Sequence, residues 1–222
     1  MSKSIITFEP WIGEFGWEVM NWQAQCRKMS RNFDLSIACS FPGMAPLYKD
    51  FASEFLAHDR PNRSLGFPHK RYRVDGEWIQ FGNPVKNPPV DVLCHGRGIS
   101  KCSFKNWAGW ANLGCTCGWI GTKQDLCFGA YDYRGMDLQS LMDLIASVKV
   151  VVGGSSGVMH LAALCKTPLV VWGDNRTYFN ETLEKRYKET WNPLDTQIEW
   201  VETSNWNPKV EDVENGIRKY TG

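Results

Sequence analysis

The chain has little excess charge and no long apolar run, and several familiar cofactor signatures are missing. Lys and Arg number 25 against 24 Asp and Glu, giving a net charge of +1. A protein that holds nucleic acid by charge alone is normally more basic. No run of about 18 apolar residues is present, so no membrane span is expected. The apolar part of "MSKSIITFEP" is too short for a signal peptide, and the expected location is the cytoplasm. There is no G-x-G-x-x-G, no G-K-[ST] and no D-x-D. Those absences argue against a dinucleotide fingerprint, a P-loop and a carboxylate pair bridging a metal to a diphosphate. The eight cysteines contain no C-x-x-C. Cys26, Cys39, Cys94 and Cys165 sit in apolar stretches. Cys102, Cys115, Cys117 and Cys127 do not have the spacing of a common zinc site. No metal is expected.

What is present is an alternation of elements. "SIITF" reads as a strand. A helix beginning near Glu14 has Phe15, Val19, Trp22, Cys26 and Met29 at helical spacing. "FDLSIACS" reads as a second strand and "PGMAPLYKDFASEFLA" as a second helix. A polar stretch with a short strand at 78–81 follows, then the Pro/Gly/Asn-rich linker Gly82–Pro89. The second half repeats the rhythm. "VDVLCHG", "CTCGWIG", "VKVVVGG" and "TPLVVWGD" are strands. "SFKNWAGWANLG", "MDLQSLMDLIASVK", "SGVMHLAALCK", "NETLEKRYKE" and "KVEDVENGIRKY" are helices. Leu138, Leu141, Ile145 and Val148 share a helix face. The expected fold is α/β, two small Rossmann-like open parallel sheets facing a cleft. The expected domains are 1–85, 90–205 and a closing helix over 206–222.

In such sheets ligands bind at the carboxyl ends of strands, which selects three stretches. After "VKVVV" come Gly153, Gly154, Ser155, Ser156 and Gly157, then a helix. Glycine permits close approach, serine adds donors and the helix start favours an anion; a tight strand-to-helix turn explains the same residues. In "CHGRG", Arg97 follows a strand between two glycines and suits a phosphate, with Lys101 and Lys105 close behind. His95 either supports it or is a core histidine. In "WIGEFGWE", Glu14 and Glu18 head a helix. Each is a candidate general base, or an acid placed to suit the helix dipole. The 11 tryptophans suggest a pocket wall as well as a core, and the basic patch Lys70, Arg71 and Arg73 reads as a nucleic-acid contact or a solvated loop.

Taken together, "DLQSLMDLIASVKVVVGGSSGVMHLAALCKTPLVVWGD" resembles the nucleotide-sugar-binding half of the heptosyltransferase-like glycosyltransferases of the GT-B group. Ser156, Gly157, His160, Leu161, Ala162, Ala163 and Pro168 match that family's stretch, with Ser155 where it usually has Asp. "SFKNWAGWANL" is similar to its Trp-containing segment, and "IGEFGWE" to its early Gly-Asp pair. The resemblance implies metal-independent transfer of a sugar from a UDP-, GDP- or ADP-sugar to an acceptor hydroxyl, with no other cofactor. It implies that Gly154, Ser155, Ser156, Gly157, His160, His95, Arg97 and Lys101 hold the donor. Glu14, or Glu18 one turn on, would be the base, and Trp17 would stack on the acceptor. That acceptor is a glycan or a hydroxylated base in DNA; "PHKRYRVDGEW" has aromatics interleaved with cations. Rival readings are a nucleotide-sugar epimerase or hydrolase, and a non-catalytic nucleotide-sugar or glycan binding module.

Overall fold

A computed structural model describes residues 3–62, 74–100, 102–175, 177–178 and 181–222. The patch at Lys70, Arg71 and Arg73, and Lys101, lie outside the described residues. The chain divides into two compact units, Met1–Trp78 and Ile79–Gly222.

In the first unit β1 (Ile5–Thr7), β2 (Leu35–Ser40) and β3 (Glu54–Ala57) form a parallel sheet in that order. Between β1 and β2 the chain is helical without a break from Phe15 to Ser30: α1 (Phe15–Trp17), a π-helical segment (Glu18–Trp22) and α2 (Gln23–Ser30). Val19, Met20, Gln23, Ala24, Cys26 and Arg27 are buried, a stripe at the spacing of one helix face. Arg27 is a charge inside this face. It makes a bidentate pair with Asp50, at 2.6 and 2.9 Å, and reaches the carbonyls of Leu47 and Glu77. Such a group is tolerated inside only because every N–H has somewhere to go.

The stretch 42–57, expected to be a second helix, is not one. It holds a single 3-10 turn, Ala45–Leu47, and then β3. Phe55 and Leu56 then pair with Ala38 and Cys39 of β2, so sheet pairing overrides local propensity.

The second unit holds β4 (Val92–His95), β5 (Gly118–Trp119), β6 (Tyr131–Asp132), β7 (Val150–Gly154), β8 (Leu169–Trp172) and β11 (Ile198–Val201) in one sheet, with a separate hairpin of β9 (Thr177–Tyr178) and β10 (Glu181–Thr182). Every pairing in the six-stranded sheet is parallel, and its order is β6-β5-β4-β7-β8-β11. Numbered by their sequence among these six, the strands lie 3-2-1-4-5-6, the doubly wound order. Both faces are covered, so β4, β7 and β8 are apolar almost throughout. The helices are α3 (Leu138–Ile145), α4 (Gly157–Leu164), the short α5 (Leu183–Lys185) with a π-helical turn after it, and α6 (Val210–Thr221). Asp137 starts α3 by accepting the Ser140 N–H at 2.9 Å.

The expected helix over 103–114 is replaced by two 3-10 turns, Ser103–Lys105 and Ala108–Asn112. Asn106 and Trp107 between them are extended. The Asn106 amide is held by Ile99 and Arg97, and the Trp107 indole donates to the Pro208 carbonyl. Trp107, Trp110, Trp119 and Trp172 then pack edge to face as core, with ring centroids about 5 Å apart. No strand forms at 78–81. Among the described residues no helix is long and apolar enough to cross a membrane.

Candidate functional site

The doubly wound order fixes where to look. Strands 1 and 4 of the sheet, β4 and β7, are neighbours whose connections leave in opposite directions, and ligands bind in the crevice beyond their carboxyl ends. That edge carries His95, Arg97 and the Gly153–Gly157 turn.

The turn is tight for one glycine and open for the next. A Cβ on Gly153 would stand 3.0 Å from the Met159 sulfur and 3.3 Å from the His95 Cβ. A Cβ on Gly154 would meet nothing nearer than the Trp172 Nε1 at 3.4 Å. That indole nitrogen is buried and has no partner among the described residues. Ser155 donates its N–H to the Trp172 carbonyl at 2.8 Å. Ser156 occupies the N-cap of α4, yet its hydroxyl makes no cap bond. It lies 3.0 Å from the His95 Nδ1 instead. The first N–H groups of α4 thus lack the side-chain acceptor an N-cap serine usually supplies.

His95 is buried, and its Nε2 lies 3.7 Å from the Asp125 carboxylate. Asp125 also accepts the N–H and hydroxyl of Thr122 and the N–H of Gly98. Burial alone would raise its pKa. The neighbouring His95 side chain, with those N–H donors, outweighs burial and holds it well below the usual carboxylate range. Gly121, at φ +126°, leaves room for this pair; a Cβ there would stand 2.6 Å from the carboxylate.

His160 lies one turn into α4. Its ring stacks on Tyr187 at 5.0 Å and meets Trp191 edge-on. Burial, helped by the charge of Lys105, lowers its pKa to about 3, so it is a neutral imidazole. Its Nδ1 has no partner among the described residues. Tyr187, fully buried beneath it, has its phenol pushed up by burial, with Ser155 and Ser156 as polar neighbours. Arg97 donates to the Cys102 carbonyl at 3.0 Å and to the Asn106 amide oxygen at 2.9 Å. Lys105 sits 4.3 Å above the Trp206 ring. Lys105 was expected as part of the positive turn behind Arg97; Asp125 and Tyr187 were not among the expected site residues and had no local signal.

In the first unit Glu14 is exposed at the N-cap of α1 and makes no cap bond, and Trp17 is half-buried. Glu18 is interior, at 1% exposure. Its carboxyl accepts the Ser40 hydroxyl and, at 2.7 Å, the Tyr48 hydroxyl. Burial raises its pKa from 4.5 to about 7 despite both bonds. The stability this group contributes is fully present below about pH 4.5 and is lost as pH rises through about 7. The expected loss is about 3 kcal/mol. Urea unfolding at pH 5 and pH 8 should show it in the wild type and not in Glu18→Gln; equal pH dependence in both proteins would refute the assignment.

A cavity of about 420 Å³ opens at the ends of β8 and β11, lined by Trp200, Asp174, Glu184 and Glu202 among others. Its carboxylates have the wrong sign for a phosphate. Among the described residues no three His, Cys, Asp or Glu side chains are grouped to hold a metal.

Residues 135–209 match the model of glycosyltransferase family 9 (heptosyltransferase). No curated protein matches the chain. Among solved structures it is similar to TibC, an iron-containing dodecameric glycosyltransferase from enterotoxigenic E. coli, at 16% identity and TM-score 0.50, covering 81% of this chain and 60% of TibC. It is also similar to the E. coli ADP-heptose LPS heptosyltransferase II, at 13% identity and TM-score 0.49 over 100% of both chains. A family 9 glycosyltransferase from Veillonella parvula aligns at 13% identity and TM-score 0.41, over 85% of this chain and 60% of that one. The chain spans only 60% of TibC. Through the segment that holds β7, the Gly153–Gly157 turn, α4 and β8, the chain is thus similar to the heptosyltransferases of glycosyltransferase family 9, on an α/β fold of the GT-B kind.

Proposed function

We propose that the protein is a glycosyltransferase that takes a sugar from a nucleoside-diphosphate sugar and passes it to an acceptor hydroxyl. The observation that carries this reading is the match of residues 135–209 to family 9, because that segment contains a glycine turn at the switch point with room for close approach at Gly154. In this reading the diphosphate sits on Gly154–Gly157 at the start of α4, where N–H groups and the helix dipole favour an anion. Arg97 and Lys105 add positive charge from the loop after β4, and Lys101 lies between them in the sequence. Those donors stabilise the charge that develops on the leaving diphosphate. His160, neutral, presents a hydrogen-bonding nitrogen and no charge. Glu14 is the base that takes the acceptor's proton, and Trp17 stacks on the acceptor. Glu18, which shares its carboxyl with Ser40 and Tyr48 inside the first unit, is the weaker candidate for that base.

We extend this reading to transfer without a metal, since the sequence has no D-x-D pair and the loop after β4 carries the cationic Arg97 and Lys105. The test is a melting series with ADP-, UDP- and GDP-sugars and CMP, with and without EDTA. A bound ligand at 100 times its dissociation constant should stabilise by about 2.7 kcal/mol. A shift with one nucleoside diphosphate sugar, preserved in EDTA, is expected. A shift abolished by EDTA would overturn the metal-free step, and no shift at all would overturn the donor.

A further inference from the structure

The N-cap serine that does not cap its helix has a specific partner, and the partner's other side is fixed. Asp125 is a carboxylate with the Thr122 and Gly98 donors around it, so it asks for a proton on the near imidazole nitrogen, Nε2. A neutral His95 with its proton on Nε2, the tautomer that the nearby Asp125 charge favours, offers Nδ1 as an acceptor. Ser156 must then donate its only hydroxyl proton to Nδ1, and its oxygen faces the crevice as an acceptor alone. That is the wrong polarity for a diphosphate. If His95 gains a proton, Nδ1 becomes a donor and the bond reverses. Ser156 then accepts from His95 and is free to donate its own O–H into the crevice.

We propose that His95 and Asp125 are positioning residues that set the polarity of the Ser156 hydroxyl, and that an anionic donor binds with uptake of one proton at His95 Nδ1. This rests on the nucleotide-sugar reading above and deepens it. The proton comes from solvent, no covalent bond changes, and the imidazolium is held between the Asp125 carboxylate and the Ser156 oxygen. Asp125, on the 122–127 loop, is the ionisable group in contact with the imidazole. Cys94 and Arg97 flank it on its own strand and loop, Lys105 lies on the 103–105 turn, and His160 on α4 is neutral. The glycines around the pair support a built arrangement: a side chain at Gly121 or Gly153 would press on His95 or Asp125.

The probes are ADP-, UDP- and GDP-glucose, whose diphosphates do not titrate between about pH 5.5 and 8.5. Calorimetry in two buffers of different ionisation enthalpy reads the proton count directly. For the probe that binds, the wild type should take up close to one proton near pH 8, and its dissociation constant should fall by about tenfold or more from pH 8.5 to 5.5. His95→Asn puts an untitratable amide near Nδ1; it should bind with a flat profile and no proton uptake. Asp125→Asn, which keeps the shape and removes the charge, should move the profile to lower pH. Ser156→Ala should lose affinity mainly at low pH, where its hydroxyl donates. A wild-type profile without proton uptake, or uptake that persists in His95→Asn, overturns the proposal while leaving the donor reading intact. No binding of any probe at any pH overturns the donor reading and this one with it.

Discussion

Glu14→Gln is expected to lower turnover by about 100-fold or more while leaving donor affinity within about a factor of two. The amide keeps the size and the hydrogen-bonding reach of the carboxylate and removes only its ability to take a proton. Two acids stand one turn apart on this helix, and the structure gives them different surroundings. Glu14 is exposed at the helix start and makes no cap bond. Glu18 is inside, bound to Ser40 and Tyr48, with its pKa raised to about 7 by burial. A buried acid serves folding first, and its amide variant should change the pH dependence of stability. The measurement is release of nucleoside diphosphate from the donor sugar in the presence of acceptor, with dissociation constants taken alongside. Full turnover in Glu14→Gln would remove it as the base and leave it as an acid that suits the dipole.

How much of this was legible in the sequence follows from where contacts lie along the chain. The stretch β7–turn–α4–β8 is contiguous, and its apolar runs, glycines and serines announce a strand, a turn and a helix in order. The doubly wound sheet follows from that alternation and from the rule that parallel strands need crossovers. The stretches misread as helices, 42–57 and 103–114, fail for a common reason. Each has residues of fair helical propensity whose backbone or side chains are claimed by a distant partner: β2 for residues 54–57, and the Pro208 carbonyl for Trp107. The site shows the same limit. Ser156 and His95 were expected to contribute, but not to touch, since 61 positions separate them. Asp125 and Tyr187 carry no local motif, and only the folded sheet puts one beside His95 and the other beneath His160. Burial of Glu18 was equally invisible, because it depends on Ser40 and Tyr48 arriving from the next strand and turn.

The adjacent glycines of the turn are expected to part company on substitution. Gly153→Ala should destabilise the fold by about 1–3 kcal/mol, because its new methyl would stand 3.0 Å from the Met159 sulfur and 3.3 Å from the His95 Cβ. Neither neighbour is the loose end of an exposed side chain: Met159 is fully buried in α4, and His95 is fixed by Ser156 and Asp125. Gly154→Ala meets only ordinary contacts, at 3.4 Å and beyond, so its stability should stay within about 0.5 kcal/mol of wild type. Its methyl would nevertheless occupy the space beside the start of α4 that a diphosphate needs in order to reach the backbone. The expected result is a donor dissociation constant raised by about 100-fold, corresponding to about 2.7 kcal/mol, in a protein that melts normally. The two variants therefore separate the competing explanations of the turn. If glycine is there only to fold it, Gly154→Ala binds donor as the wild type does. If it is there to let a phosphate approach, the more tolerated of the two substitutions is the one that abolishes binding.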